Sequence, residues 1–186
     1  LDPTNDGAFV NRGIAQRRLG NIAHAIRDFD EAIRLNPEAA DAFNNRGNAY
    51  RGLQDLDRAL KDYDEAIRLN PRYAHAYNNR GIIFLELGEL VDAIHDFDRA
   101  IAENPAYANA FRNRGLARTE QGLFDLAVTD FEDAFKLDPT TGHGAEYAVA
   151  LFGRGTARQQ SGDPRGVDDI AEAKRLLPNV ADLLDE

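Results

Sequence analysis

The feature that most constrains this chain is a self-similarity. Ala42-Phe43-Asn44-Asn45-Arg46-Gly47 returns as Ala76-Tyr77-Asn78-Asn79-Arg80-Gly81 and as Ala110-Phe111-Arg112-Asn113-Arg114-Gly115, each time 34 residues further on. Gly13 extends the series backward, and Gly155 extends it forward after an insertion of about six residues around Gly142-His143-Gly144. A period of this length is one supersecondary unit that cannot bury its apolar face alone, so its copies must stack on one another.

With that glycine as position 8 of each unit, position 4 is Phe9, Phe43, Tyr77, Phe111 and Leu151. Position 20 is Ala25, Ala59, Ala93 and Ala127, and position 24 is Phe29, Tyr63, Phe97 and Phe131. Apolar residues at 4, 8 and 11 share one arc of a helix, and those at 17, 20, 21, 24, 27 and 28 share one arc of a second. Each unit is therefore predicted to be a helical hairpin. Glycine at 8 and alanine at 20 let the two helices approach, with the ring at 24 filling the space beside them. Position 15 is Gly20, Gly88, Gly122 and Gly162, with Gln54 as the exception, and suits a helix end that needs a left-handed backbone. Pro37, Pro71, Pro105 and Pro139 at position 32 end the second helices, and Pro3 and Pro178 close the two ends.

This pattern resembles the tetratricopeptide repeat family over essentially the whole chain. The resemblance implies an all-α, right-handed solenoid, a superhelix of helix-turn-helix units. The expected layout is a tail of a preceding repeat at 1–5, repeats at 6–39, 40–73, 74–107 and 108–141, and an insertion at 142–147. A degenerate fifth repeat follows at 148–180, and 181–186 starts a C-terminal capping segment. The opening Leu1-Asp2-Pro3 reads as the end of a repeat, so the sequence is expected to be a fragment of a longer chain. In the fifth unit Arg158 stands at position 11 and Ile170 at 24, which fits a terminal cap with a more polar face. Its tail from Asn179 to Glu186, apolar at Val180, Leu183 and Leu184, is expected to begin a solvating helix.

Two columns depart from the family. Position 7, commonly apolar there, is Arg12, Arg46, Arg80, Arg114 and Arg154, and position 23 is Asp28, Asp62, Asp96, Asp130 and, allowing one deletion, Asp169. A guanidinium and a carboxylate meet through two parallel hydrogen bonds, so one structural ion pair per repeat is expected between the helices. Asp30 and Arg34, like Asp64 and Arg68, stand four apart and are expected to pair along an exposed helix face.

On the first helix, positions 2, 5, 6, 9 and 13 lie opposite the packed arc. The resemblance implies that this side lines a concave groove. Position 6 is Asn11, Asn45, Asn79 and Asn113 before the series ends at Gly153. An asparagine amide offers a donor and an acceptor, and so can hold the backbone of an extended peptide whatever its side chains. Asparagine is a mediocre helix former with no packing reason to recur here. The resemblance therefore implies an asparagine ladder for a peptide, with Asn44, Asn48, Asn78, Asn109 and Arg112 enlarging a polar floor. Ile14, Ile82, Leu85, Leu116 and Phe152 either select side chains or pack against neighbouring repeats. A second mode known in the family, a cationic clamp for a carboxyl terminus, lacks every cation: Asn44, Asn48, Asn79, Asn109 and Asn113 are present without the lysines and arginine.

The rest of the composition narrows the classes. A formal charge of −10 disfavours nucleic acid as a partner, since such binding rests on clustered Lys and Arg. The absence of cysteine removes a thiolate nucleophile or metal site, and leaves the cytoplasm and the bacterial periplasm equally open. No run of about 18 apolar residues argues for membrane insertion. His24, His75, His95 and His143 have no metal-ligand spacing, and Gly153-Arg154-Gly155 has no preceding strand to make a nucleotide loop. The expected function is a non-catalytic module without cofactor that binds a peptide segment of a partner protein. The alternatives are a scaffold that forms homo-oligomers, or the recognition arm of a larger enzyme.

Overall fold

A computed structural model describes residues 5–141 and 144–182. The expected opening tail at Leu1 to Pro3, Gly142 and His143 of the insertion, and Leu183 and Leu184 of the tail lie outside the described residues. These fold into ten α-helices and one 3-10 turn, with no strand among them. The chain divides into two compact units, Leu1–Leu87 and Gly88–Glu186.

The first unit holds α1 (Asp6–Arg18), α2 (Ile22–Leu35), α3 (Ala40–Gly52), α4 (Leu56–Leu69) and α5 (Ala74–Glu86). Its starts are capped where the sequence allows: the Asn5 side chain accepts from the Ala8 N–H at 3.0 Å, and that of Asp55 accepts from the Arg58 N–H at 3.1 Å. The second helices end before proline through a repeated device. Asn36 takes an extended backbone ahead of Pro37, and its side-chain oxygen accepts from the Glu38 N–H at 3.1 Å; Asn70 does the same for Arg72 at 3.1 Å. Apolar packing runs through both faces of the hairpin stack. Val10, Ala25, Phe29, Ala32, Ala42 and Ala49 form one cluster, and Tyr50, Ala59, Tyr63 and Ile83 another.

The second unit holds α6 (Leu90–Glu103), α7 (Ala108–Glu120), α8 (Phe124–Leu137), the 3-10 turn Pro139–Thr141, α9 (Ala145–Gln160) and α10 (Arg165–Leu176). Its core gathers Ala127, Val128, Phe131, Ala150, Leu151, Ala173 and Val180. α9 begins at Ala145, within the 142–147 insertion. One expectation is corrected here. The tail does not continue as a solvating helix through residue 182: 178–182 are turns, and Val180 is fully buried against the core. Pro178 interrupts the helix geometry, and the turn then carries the valine inward.

The position-8 glycines meet the rings the sequence placed beside them. A Cβ on Gly13 would come within 2.5 Å of the Phe29 ring, one on Gly47 within 2.7 Å of Tyr63, and one on Gly115 within 3.1 Å of Phe131. The turn at position 15 is left-handed in Gly20, Gly88, Gly122 and Gly162, and Gln54 adopts the same conformation with φ of 60°.

Candidate functional site

In the first unit α3 is covered on two flanks. Gly47 faces Tyr63 of its own hairpin, while Ala42 and Ala49 at positions 3 and 10 join the cluster of Phe29 and Ala32 on α2. The uncovered strip of the first helices is consequently narrower than helical periodicity indicates. Position 5 is lost to packing: Val10, Asn44 and Asn78 are buried, the two asparagines at 5% and 3% exposure. These two amides are not displayed on an open floor, a correction to the sequence reading.

Positions 6 and 9 keep partial exposure. Asn11 is exposed, and Asn45 and Asn79 are half-buried. Asn45 donates from Nδ2 to the Asp41 carbonyl of its own helix at 2.8 Å, and Asn79 donates from Nδ2 to Oδ1 of the buried Asn44 at 2.9 Å. Each of these amides thus spends one N–H inside the protein and retains a second. Asn48 accepts from the Tyr63 hydroxyl at 2.9 Å. Ile14 packs against the first apolar cluster, and Ile82 and Leu85 are half-buried. At position 12, which the sequence reading passed over, the Nε of Arg17 is buried without a hydrogen-bond partner.

In the second unit Asn113 is half-buried on α7, with Asn109 and Arg112 exposed on the same helix. Arg112 donates from Nη2 to Glu146 Oε1 on α9 at 2.7 Å. The asparagine column ends at Gly153 for a steric reason: a Cβ there would lie 2.4 Å from the Phe124 ring. Leu116 and Phe152 pack partly against the core of this unit.

The arginines at position 7 form a regular network. Arg12 donates from Nε and Nη2 to Asp28 at 2.9 and 2.5 Å, and Arg46 does so to Asp62 at 2.9 and 2.7 Å. In the second unit Arg114 binds Asp130 from Nε and Nη2, the latter at 2.6 Å, and Arg154 binds Asp169 at 3.0 and 2.7 Å. Arg80 and Asp96 fall in different units, and their pairing stands as a proposal of the repeat pattern. The hydrogen bonds to Asp62 hold the Arg46 guanidinium above its ordinary pKa. Burial raises the pKa of the Asp130 carboxyl, against the pull of Arg114 and Arg118. The guanidiniums of Arg12, Arg46, Arg80 and Arg114 also lie over the ring at position 4, with Arg12 5.1 Å from the Phe9 centroid and Arg46 5.5 Å from that of Phe43; the fifth repeat has Leu151 there.

Two parts of this network were missed in the sequence. The third edge of the guanidinium takes a carboxylate of the preceding hairpin: Arg46 to Asp30 at 2.7 Å, Arg80 to Asp64 at 2.6 Å and Arg114 to Asp98 at 2.5 Å. Asp30 and Asp64 are therefore not partners of Arg34 and Arg68. Those arginines bind Glu31 and Glu65 instead, one turn back, because the aspartates face the next hairpin. The second omission concerns position 11. Arg118 and Arg158, standing where earlier repeats carry Tyr50 and Phe84, add a second guanidinium to Asp130 and Asp169, each at 2.7 Å. The 34-residue recurrence of Asp30, Asp64 and Asp98 was the available signal.

Among the described residues no group of three or more His, Asp or Glu converges to hold a metal ion, and no helix is long and apolar enough to cross a membrane.

Helical hairpins repeated at a fixed period, with small residues at each hairpin crossing, define an all-α helical-repeat protein. The sequence matches the Tetratricopeptide repeat family profile over residues 10–60, 44–108 and 91–141, and the chain belongs to that family. No curated protein matches it significantly. Among solved structures it is similar to YrrB, a TPR protein with an unusual peptide-binding site, with a TM-score of 0.74 at 18% identity over 96% of this chain and 89% of that one. It is similar to MamA from Desulfovibrio magneticus RS-1 with a TM-score of 0.72 at 21% identity, covering 95% and 96%. A third likeness is to the first TPR of Spaghetti (RPAP3) bound to an HSP90 peptide, with a TM-score of 0.60 at 24% identity, covering 66% and 96%. At these identities the likeness is one of fold.

Proposed function

We propose that this chain is a non-catalytic protein-interaction module that holds an extended segment of a partner along the exposed strip of its first helices. Asn11, Asn45 and Asn79 serve in the first unit, and Asn113 supplies the same group in the second. The observation that carries this reading is the recurrence of an amide at position 6 in each of the first four repeats, every one at least partly exposed. YrrB, named for a peptide-binding site, and the peptide-bound Spaghetti repeat are in keeping with it. A hydrogen bond contributes about 0.5–1.5 kcal/mol net, so affinity comes from several repeats acting together.

The buried Asn44 depends on Asn79, so substituting Asn79 would disturb the fold as well as the strip. The test therefore uses peptides selected by display against the chain, and compares the parent with an Asn11→Ala, Asn45→Ala variant whose helicity and melting are unchanged. Loss of affinity on the order of tenfold or more is expected. Equal affinity for both proteins would remove the ladder.

Self-association through an outer face of the repeats is a second reading. Light scattering across concentrations, without added peptide, separates the two.

A further inference from the structure

The second unit carries a recess on its first-helix strip that the asparagine column does not account for. It measures about 210 Å³ and is lined by Leu116, Thr119 and Glu120 of α7 and by Glu146 and Val149 of α9. Sites that enclose whole small molecules run to about 300–1,000 Å³, so this one is the size of a single side chain. Its floor is aliphatic, from Leu116 and Val149, and both residues are anchored from behind by the core of the unit. Its rim is acidic. Glu120 is exposed, with no partner among the described residues, and Glu146 gives Oε1 to Arg112 and keeps Oε2. An aliphatic floor of this extent rewards the burial of an apolar side chain such as a branched aliphatic group. Its one unpaired carboxylate rewards a cation beside that group and repels an anion. The formal charge of −10 on the whole chain acts in the same sense on the approach of a partner.

We infer that this recess is a specificity subsite for a leucine-, isoleucine- or valine-type side chain two residues from a lysine or arginine in the partner's segment, the spacing that puts both on one face of an extended chain. The inference rests on the proposed holding of an extended segment, and it supplies what backbone capture alone lacks, a sequence preference. Leu116 and Val149 take the aliphatic group. Glu120 takes the cation.

The experiment uses the whole chain, isotopically labelled, and three synthetic dodecapeptides of alanine, serine and threonine that carry Leu-Ser-Lys, Leu-Ser-Glu or Ala-Ser-Lys at the centre. Amide chemical-shift titrations give both affinity and location. The Leu-Ser-Lys peptide is expected to shift the amides of Leu116, Glu120 and Val149 and to bind about three- to fivefold more tightly than Leu-Ser-Glu. Glu120→Lys, an exposed substitution that leaves the core alone, is expected to reverse that order. Shifts confined to the asparagine strip, with no preference among the three peptides, would overturn the subsite and leave the segment-holding reading intact. No shift with any peptide would overturn both. Shifts of the same recess amides on concentrating the protein alone would assign the recess to a second copy of the chain and overturn the subsite.

Discussion

Arg46 on α3 reaches back to Asp30 on α2, its Nη1 lying 2.7 Å from the Asp30 Oδ1, while the other edges of the same guanidinium hold Asp62 on α4. One side chain thereby ties two consecutive hairpins and fixes how far one is rotated against the next. The same contact recurs from Arg80 to Asp64 and from Arg114 to Asp98, whereas among the described residues Arg154 binds Asp169 alone, so the first three hairpin junctions share a tie that the last lacks.

The two carboxylates differ in burial, and their removal should differ accordingly. Asp62 is 7% exposed in its side chain and Asp30 is 50% exposed. Asp62→Ala leaves a half-buried guanidinium short of its main partner and is expected to cost about 3 kcal/mol in denaturant unfolding. Asp30→Ala is expected to cost under about 1 kcal/mol. A double-mutant cycle of Arg46→Ala with Asp62→Ala should show clear coupling; additive effects would reduce the pair to a bystander.

The position-8 glycines give a graded test of hairpin packing. Alanine at Gly13 or Gly47 would place Cβ 2.5 or 2.7 Å from a ring that is fully buried, against 3.1 Å at Gly115. Overpacking costs about 1–3 kcal/mol, offset by about 1 kcal/mol of helix propensity gained from glycine to alanine. Gly13→Ala and Gly47→Ala are expected to destabilise, with Gly115→Ala closer to neutral. Equal effects at all three positions, measured by melting, would contradict the packing described.

Gln54 holds a left-handed backbone, φ 60°, at the turn where Gly20, Gly122 and Gly162 stand in other repeats. That conformation costs a side-chain-bearing residue about 1–2 kcal/mol. Part of the gain from a glycine is lost to the greater freedom of its unfolded chain. Gln54→Gly is therefore expected to stabilise by about 0.5–1 kcal/mol. A lower denaturation midpoint for the variant would show the turn to be relaxed already.

Asp163, in the turn before α10, accepts from the Arg165 guanidinium at 2.6 Å and from the Arg165 N–H at 2.9 Å. These hydrogen bonds, the side-chain one foremost, lower its pKa from 3.8 to about 2. A carboxylate depressed on folding stabilises above its unfolded pKa, and that contribution fades as pH falls from 3.8 toward 2. Carbon-detected titration should find Asp163 ionised at pH 3, and Arg165→Ala should return its midpoint toward 3.8. An unchanged midpoint in the variant would place the cause elsewhere.

How much was legible in advance divides along a physical line. A 34-residue period, the glycine–alanine–aromatic set and the prolines were enough for the hairpins, because each is a statement about one helix or one turn. The columns of arginine and aspartate were equally visible. Which oxygen each guanidinium takes was not, because Asp30 reaches Arg46 only once two hairpins are stacked. The same holds for the strip. Helical spacing assigned position 5 to the open side, yet Asn44 and Asn78 are buried, since α3 is covered by a neighbouring hairpin as well as by its own second helix.

By itself, then, the sequence determined what depends on separation along the chain: the hairpin repeat, its breaks, the recurrence of an amide in the first four units and the membership of the family. Only the tertiary structure decided what depends on angles between helices. That includes the narrowed strip, the buried Val180, the ring of Phe124 that leaves room for nothing larger than Gly153, and the recess between Leu116 and Val149. Periodicity records which residues share a face of one helix; it carries no record of how many neighbours will cover that face.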